Sequence, residues 1–121
     1  MARILVVDDS VYFRLKLREI LTSAGHEIVA EAANGQSAVL KYKELRPDLV
    51  TMDISMPDTD GIMGVRKILE FDPKAKIVMV SAMGQKHMVF DALRAGAKHF
   101  IVKPVDNTAT LDVIDKVLHV K

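Results

Sequence analysis

The sequence predicts an α/β protein built as a doubly wound, five-stranded parallel sheet with helices on both faces. Two observations lead to this fold class. Short apolar segments rich in β-branched residues alternate five times with longer segments of helical spacing. Two of the short segments, ILVV and IVMV, are apolar at every position, as is typical of parallel strands that are covered on both faces.

The segments can be placed along the chain by their patterns and by their capping and breaking residues. Strands are predicted at Ile4–Val7, Glu27–Ala30, Asp48–Met52, Lys76–Val80 and His99–Val102. The first helix follows Ser10, which can cap it, and stops at Gly25. The other helices are predicted at Gln36–Leu45, Ile62–Phe71, His87–Arg94 and Thr108–His119, the last of them capped by Asp106 or Asn107.

Composition narrows the possible functions. The chain has 121 residues and no evident linker, so we expect residues 1–121 to form a single domain. The formal net charge of +1 and the 5% aromatic content do not favour a nucleic-acid-binding surface. Cysteine is absent, which excludes disulfides and thiolate metal sites. No apolar run is long enough to span a membrane, and a cytoplasmic location is expected.

Polar side chains follow each of the five predicted strands, at the point where the strand ends. Glu31, after the second strand, is expected to lie apart from the others as the solvated end of a peripheral strand. Asp8 and Asp9 follow the first strand, Asp53 the third, Ser81 the fourth and Lys103 the fifth. The carboxyl ends of parallel strands meet at one edge of the sheet, where ligands bind in such folds. These side chains are therefore expected to converge, although they are far apart in sequence.

Three converging carboxylates would repel one another unless a cation joined them. The predicted cluster contains no histidine, so zinc is disfavoured, and hard oxygen ligands favour Mg²⁺ or Mn²⁺. Three carboxylates, one divalent ion and one lysine have no net charge. A phosphoryl dianion could then approach the site without strong repulsion.

Among the three carboxylates, Asp53 is the predicted nucleophile. It opens the stretch DISMPDTDG, in which a proline and a glycine indicate a stiff, turning loop. Such a loop can present Asp53 and the backbone carbonyl of Ser55 to the metal, and aspartyl phosphate is a known covalent intermediate. Lys103 can neutralise one phosphoryl oxygen as a point charge, and Ser81 can donate a hydrogen bond to another.

These residues resemble the receiver domain of bacterial and archaeal response regulators over the whole chain. The motifs VDDS, DLVTMDISMPDTDG, VSAMG and GAKHFIVKP occur in the family's order and at similar spacing. The resemblance implies a flavodoxin-like fold with strand order 2-1-3-4-5. It implies that Asp53 accepts a phosphoryl group from a phosphohistidine and that Asp8 and Asp9 bind the metal. The domain would catalyse its own phosphorylation and dephosphorylation, with no separate substrate.

The resemblance also implies a switch. Ser81 matches the residue that moves toward the phosphoryl group, and Phe100 the aromatic ring that then turns inward. The face made by helix four, strand five and helix five would change. Phe100 stands where many members carry tyrosine, so it lacks the hydroxyl that can bond to a partner. The bond between Lys103 and Pro104 is often cis in the family.

Within the family, MDISMP, SAMGQ and AGAKHFIVKP are most similar to stand-alone chemotaxis receivers. The implied partners are a CheA-like histidine kinase and a flagellar motor switch protein or phosphatase. Two alternatives stay open: the receiver of a longer regulator, such as a DNA-binding one, and a binding module that is not phosphorylated. A flavodoxin-type carrier and a dehalogenase-type phosphatase fit the motifs less well. All four histidines are predicted to lie at the surface.

Overall fold

The structure, a computed structural model, describes residues 1–54, 56, 61–82 and 84–119. In these residues strands and helices alternate along the chain, as predicted. The strands are β1 (Arg3–Val7), β2 (Glu27–Ala32), β3 (Leu49–Asp53), β4 (Ile77–Ser81) and β5 (His99–Val102). The helices are α1 (Val11–Ser23), α2 (Gly35–Leu45), α3 (Gly61–Phe71), α4 (Lys86–Ala95) and α5 (Asn107–Leu118).

The described strands form one parallel sheet in the order β2-β1-β3-β4-β5. The predicted fold class and strand order are therefore confirmed. Val7 of β1 pairs with Met52 of β3, and Asp53 at the end of β3 pairs with Val80 of β4. This register brings the carboxyl ends of the three central strands to the same level of one edge.

Each face of the sheet carries its own hydrophobic core. Successive residues of a strand point to opposite faces, so Leu5 and Val7 enter one core while Ile4 and Val6 enter the other. Helices α2, α3 and α4 cover the first core, and α1 and α5 cover the second. The continuous apolar run of β1 is thereby explained, because both of its faces are buried.

Polar side chains cap the N-termini of α1 and α5. Ser10 accepts a hydrogen bond from the backbone N–H of Phe13, as predicted, over 3.4 Å. Of the two candidate caps for α5, Asp106 is the one observed, since its carboxylate accepts from Ala109 N–H at 3.0 Å. Within the described residues, no helix is both long and apolar enough to cross a membrane.

Two of the four histidines, His87 and His119, are exposed, as predicted, and His99 and His26 are partly buried. Of the latter two, His26 accepts a hydrogen bond through its ring from a residue distant in sequence. β2 pairs with β1, and this pairing draws the ring against the start of the chain, where the backbone N–H of Ala2 donates to Nδ1 at 3.1 Å. A protonated Nδ1 could not accept this bond. Burial lowers the pKa of His26, and the positive chain terminus lowers it further, although Asp115 opposes the change.

Stability should therefore fall as the solution becomes acidic. The unfolded chain protonates His26 near pH 6.5, whereas the folded chain resists protonation to a lower pH. The contribution of neutral His26 to folding stability is complete above pH 6.5 and is lost as the pH falls through the pKa of His26 in the folded chain. We expect His26→Gln to lessen the decrease in melting temperature between about pH 7 and 5. His87→Gln, at an exposed position, should leave the decrease in melting temperature as in the wild type. If His87→Gln lessened that decrease as much as His26→Gln, the effect could not be assigned to His26.

Candidate functional site

The predicted acidic residues converge at the carboxyl edge of the sheet. Asp8 directly follows β1, and Asp53 is the last residue of the neighbouring strand β3. One carboxylate oxygen each of Asp8, Asp9 and Asp53 lies within 4.8 Å of the other two. Asp8 and Asp53 are buried and Asp9 is exposed, so the cluster opens to solvent on the side of Asp9.

Lys103 joins this cluster from the end of β5. Its Nζ lies 3.1 Å from Oδ2 of Asp8 and 3.7 Å from Oδ2 of Asp53. The backbone N–H of Lys103 donates to the carbonyl of Ser81 at 2.7 Å, which continues the β4–β5 pairing past the end of the strand. The peptide bond between Lys103 and Pro104 is cis, as the family resemblance implied. A cation and two carboxylates therefore share one small, largely buried volume.

Phe13 is a neighbour of this lysine that the sequence did not suggest. Its ring centroid lies 3.9 Å from Nζ of Lys103, a distance at which the negative face of a benzene ring attracts an ammonium group. Phe13 belongs to the first turn of α1, which Ser10 caps. The start of α1 thus places an aromatic ring against the carboxyl edge of the sheet, beside the acidic cluster.

Arg14 supports the loop that carries the acidic pair. Its Nη1 donates to the backbone carbonyl of Asp8, and its Nε donates to Glu31 at 3.1 Å. Glu31, interpreted from the sequence as a solvated strand end, also binds Arg18 at 2.8 Å. The one available signal was that Arg14 is the first basic residue after the acidic pair. The hydrogen bond from Arg14 to the backbone carbonyl of Asp8 could be identified only in the three-dimensional structure.

The loop after β1 is further held by Asp8 itself. The backbone N–H of Ser10 donates to Oδ1 of Asp8 at 2.8 Å, and the N–H of Asp8 donates to the carbonyl of Ala32 at 3.0 Å. Oδ2 of Asp8 is buried and, apart from the ion pair with Lys103, accepts no hydrogen bond from the described residues. One buried oxygen is therefore held toward the cluster with capacity to bind a further positive group.

The residues present fit a hard divalent cation. Over the four described side chains of Asp8, Asp9, Asp53 and Lys103, the formal charge is −2 when all are ionised. Carboxylate oxygens are the ligands that Mg²⁺ prefers in proteins, and the exposed side at Asp9 leaves access for water. Ser55, predicted to offer its backbone carbonyl, lies outside the described residues.

Ser81 and Phe100 share a second feature beside this edge. Ser81 is buried at the end of β4, and Phe100 of β5 is 37% exposed. Both line a cavity of about 350 Å³ together with apolar side chains of α4, among them Val89 and Phe90. The structure thus places the two predicted switch residues along one mostly apolar space.

A parallel α/β sheet with an acidic cluster and a lysine at its carboxyl edge is the arrangement expected of a receiver domain. Residues 4–115 match the family described as response regulator receiver domain. The chain belongs to this family.

Relatives of nearly equal length indicate where in the family it lies. The chain is 54% identical to the chemotaxis protein CheY of Bacillus subtilis, covering 97% of this chain and 98% of that protein. It is 51% identical to CheY of Thermotoga maritima, covering 95% and 96%. A crystal structure of a CheX–CheY–BeF3–Mg complex from Borrelia burgdorferi matches with a TM-score of 0.92 at 45% identity, over 98% of this chain and 90% of that one. The chain is thus a CheY-like receiver, as its motifs predicted.

Proposed function

We propose that this protein is the phosphorylated relay component of a two-component system, with Asp53 as its phosphoacceptor. The observation that carries the proposal is Lys103, whose ammonium lies between two buried carboxylates at 3.1 and 3.7 Å. Such a cation can neutralise a phosphoryl oxygen next to the attacking carboxylate. The donor would be the phosphohistidine of a CheA-like histidine kinase.

In the transfer, a carboxylate oxygen of Asp53 forms a bond to phosphorus while the phosphorus–nitrogen bond of phosphohistidine breaks. The electron pair leaves with the imidazole nitrogen, and Asp53 becomes a mixed anhydride. Asp8, Asp9, Asp53 and the carbonyl of Ser55 would hold Mg²⁺, which supplies positive charge for the phosphoryl oxygens. Lys103 supplies the second positive charge, and Ser81 donates a hydrogen bond to the product. Arg14 keeps the loop of the acidic pair in place by its bond to the carbonyl of Asp8.

The output would pass through the cavity shared by Ser81 and Phe100. Movement of Ser81 toward a phosphoryl group would open space for the ring of Phe100 to turn in from its partly exposed position. The surface of α4, β5 and α5 would then change, which is a shift between two populations driven by the added charge. We propose that residues 1–121 act as one receiver domain and signal in chemotaxis, to a flagellar motor switch protein or a phosphatase.

Phosphorylation can be tested directly. Incubation with acetyl phosphate and Mg²⁺ should add one phosphoryl group to the wild type, measured by intact mass. The variant Asp53→Asn should gain none while keeping the wild-type circular dichroism spectrum, because an amide cannot form the mixed anhydride. An equal adduct in the variant would move the phosphoacceptor elsewhere. No adduct in the wild type, even with a matching kinase, would favour the binding module that is not phosphorylated.

The metal can be tested without the reaction. Mg²⁺ that binds only the folded chain should raise the melting temperature by the term RT ln(1 + [L]/Kd). Asp9→Ala should reduce this increase, because it removes the most exposed of the three ligands. A melting temperature that does not respond to millimolar Mg²⁺ would remove the metal from the site, whatever the result with acetyl phosphate.

A further inference from the structure

A groove runs between α2 and α3, and it shares no lining residue with the acidic cluster or with the cavity of Phe100. Its volume is about 500 Å³. Leu40 of α2 is 62% exposed and Met63 of α3 is 47% exposed on its two walls. At its floor a Cβ on Gly64 would lie only 3.6 Å from Cα of Gly35, so the helices approach closely there. The result is an open channel of mixed lining, in which these two exposed apolar side chains lie beside polar ones such as Gln36.

The rim of this groove is basic. Lys43 of α2 and Lys67 of α3 line it, and no carboxylate does so among the described residues. At one end the ring of Phe71 lies beneath Lys43 and Arg46, at 5.6 and 4.6 Å. The segments 35–46 and 61–71 carry five basic and two acidic residues, although the whole chain has a net charge of only +1. The two helices that form the channel therefore carry an excess of positive charge, and two of their lysines line the channel itself.

We propose that this α2–α3 groove binds an acidic amphipathic helix of a partner protein. A helix that binds in a groove presents apolar side chains at positions i and i+4 to the groove walls. In this groove those side chains would contact Leu40 and Met63. Carboxylates that flank those anchors would reach Lys43 and Lys67. Opposite charge at the rim favours this occupant and speeds its association. Exposed apolar side chains beside a lining whose described charged residues are both lysines are typical of an interaction site.

The lysines and the apolar side chains of the groove together disfavour two other occupants, a second copy of this chain and a nucleic acid. A second copy of this groove would bring lysines against lysines, which costs free energy. A nucleic acid would use the lysines but would leave Leu40 and Met63 without apolar contacts. The proposal does not rest on phosphorylation, because none of the residues that it uses belongs to the cluster around Asp53.

The test uses a fluorescein-labelled helical peptide of about 14 residues, long enough for a marginally stable helix. Two leucines stand at i and i+4, with glutamates beside them, and a matched peptide carries lysines instead. Fluorescence anisotropy should show binding of the glutamate peptide alone, weakened by added salt. The double variant Lys43→Glu, Lys67→Glu should weaken binding by about tenfold or more. Leu40→Ser should weaken binding because it removes an apolar side chain from the groove wall. Lys116→Glu on α5, outside the groove, should leave binding unchanged.

Several results would overturn the proposal. Equal binding of both peptides, or no binding at millimolar concentration, would exclude an acidic helix. Unchanged affinity in the Lys43/Lys67 variant, with a melting curve that shows it folded, would exclude this groove. Self-association of the protein that Leu40→Ser abolishes would identify a second copy as the occupant. Because Asp53→Asn should bind the peptide like the wild type, a failure of the phosphorylation test leaves this experiment interpretable.

Discussion

Lys103→Met is expected to slow phosphorylation of Asp53 by about a hundredfold or more. Methionine keeps the length of the side chain but removes the only ammonium that the described structure places at Asp8 and Asp53. The phosphoryl group would then meet carboxylates without that neutralising charge. The rate of adduct formation with acetyl phosphate and Mg²⁺, followed by intact mass, measures the effect. A rate within a factor of about two of the wild type would contradict the proposed role.

The same variant should change stability in a way that depends on the metal. In a chelator, the buried Asp8 loses its ion-pair partner, and the free energy of unfolding should fall by about 3 kcal/mol. Added Mg²⁺ should recover more stability than in the wild type, since the site becomes more negative by one charge. Urea unfolding with and without Mg²⁺ separates the two effects. Lys98→Met, at an exposed position, is the matched control and should change neither.

Gly61→Ala is expected to destabilise the fold by about 3 kcal/mol through overpacking. A Cβ at Gly61 would approach the backbone oxygen of Asp53 to 2.2 Å and Cα of Ile54 to 3.0 Å. Both atoms belong to the backbone, so no side-chain rotation can relieve the clash. The start of α3, which is tied to the β3 end by the bond from Gly61 N–H to the carbonyl of Ile54 at 3.1 Å, would have to move. Phosphorylation should slow as well, because Asp53 itself is displaced.

Gly64→Ala in the same helix is the control for this change. Its Cβ would meet mainly the terminal methyl of Met52 at 3.0 Å, and a methionine side chain can adjust. Alanine also favours a helix interior over glycine. Denaturant unfolding should therefore show a much smaller loss than for Gly61→Ala. Equal losses in the two variants would mean that helix propensity or general packing, and not the clash with Asp53, sets the stability.

The order of strands and helices and the members of the acidic cluster could be predicted from the sequence. Periodicity separates the two kinds of segment, and both faces of β1 are apolar because two cores need them. Asp8, Asp53, Ser81 and Lys103 could be chosen because strand ends in a parallel sheet share one edge. The spacing did not supply the strand order, since right-handed crossovers permit several; the family resemblance did.

Contacts between elements that are distant in sequence could not be predicted from hydrophobic periodicity. The ring of Phe13 over Lys103 joins residues 90 positions apart, and Arg14 reaches Glu31 from another element. The partial burial of His26 comes from the pairing of β2 with β1, which no local window contains. Each case depends on how elements pack, and one-dimensional periodicity carries information only about the face that an element buries.

The sequence by itself determined the alternation of strands and helices, the cap of the first helix, and which side chains stand at the strand ends. Those properties follow from local backbone preferences and from a hydrophobic pattern repeated within each segment. Only the tertiary structure decided that Lys103 bridges Asp8 and Asp53, that Arg14 holds the acidic loop, and that α2 and α3 leave a basic groove between them. Distances between side chains on separate elements are set by packing of the whole sheet and its helices, since that packing is where the free energy of burial is gained.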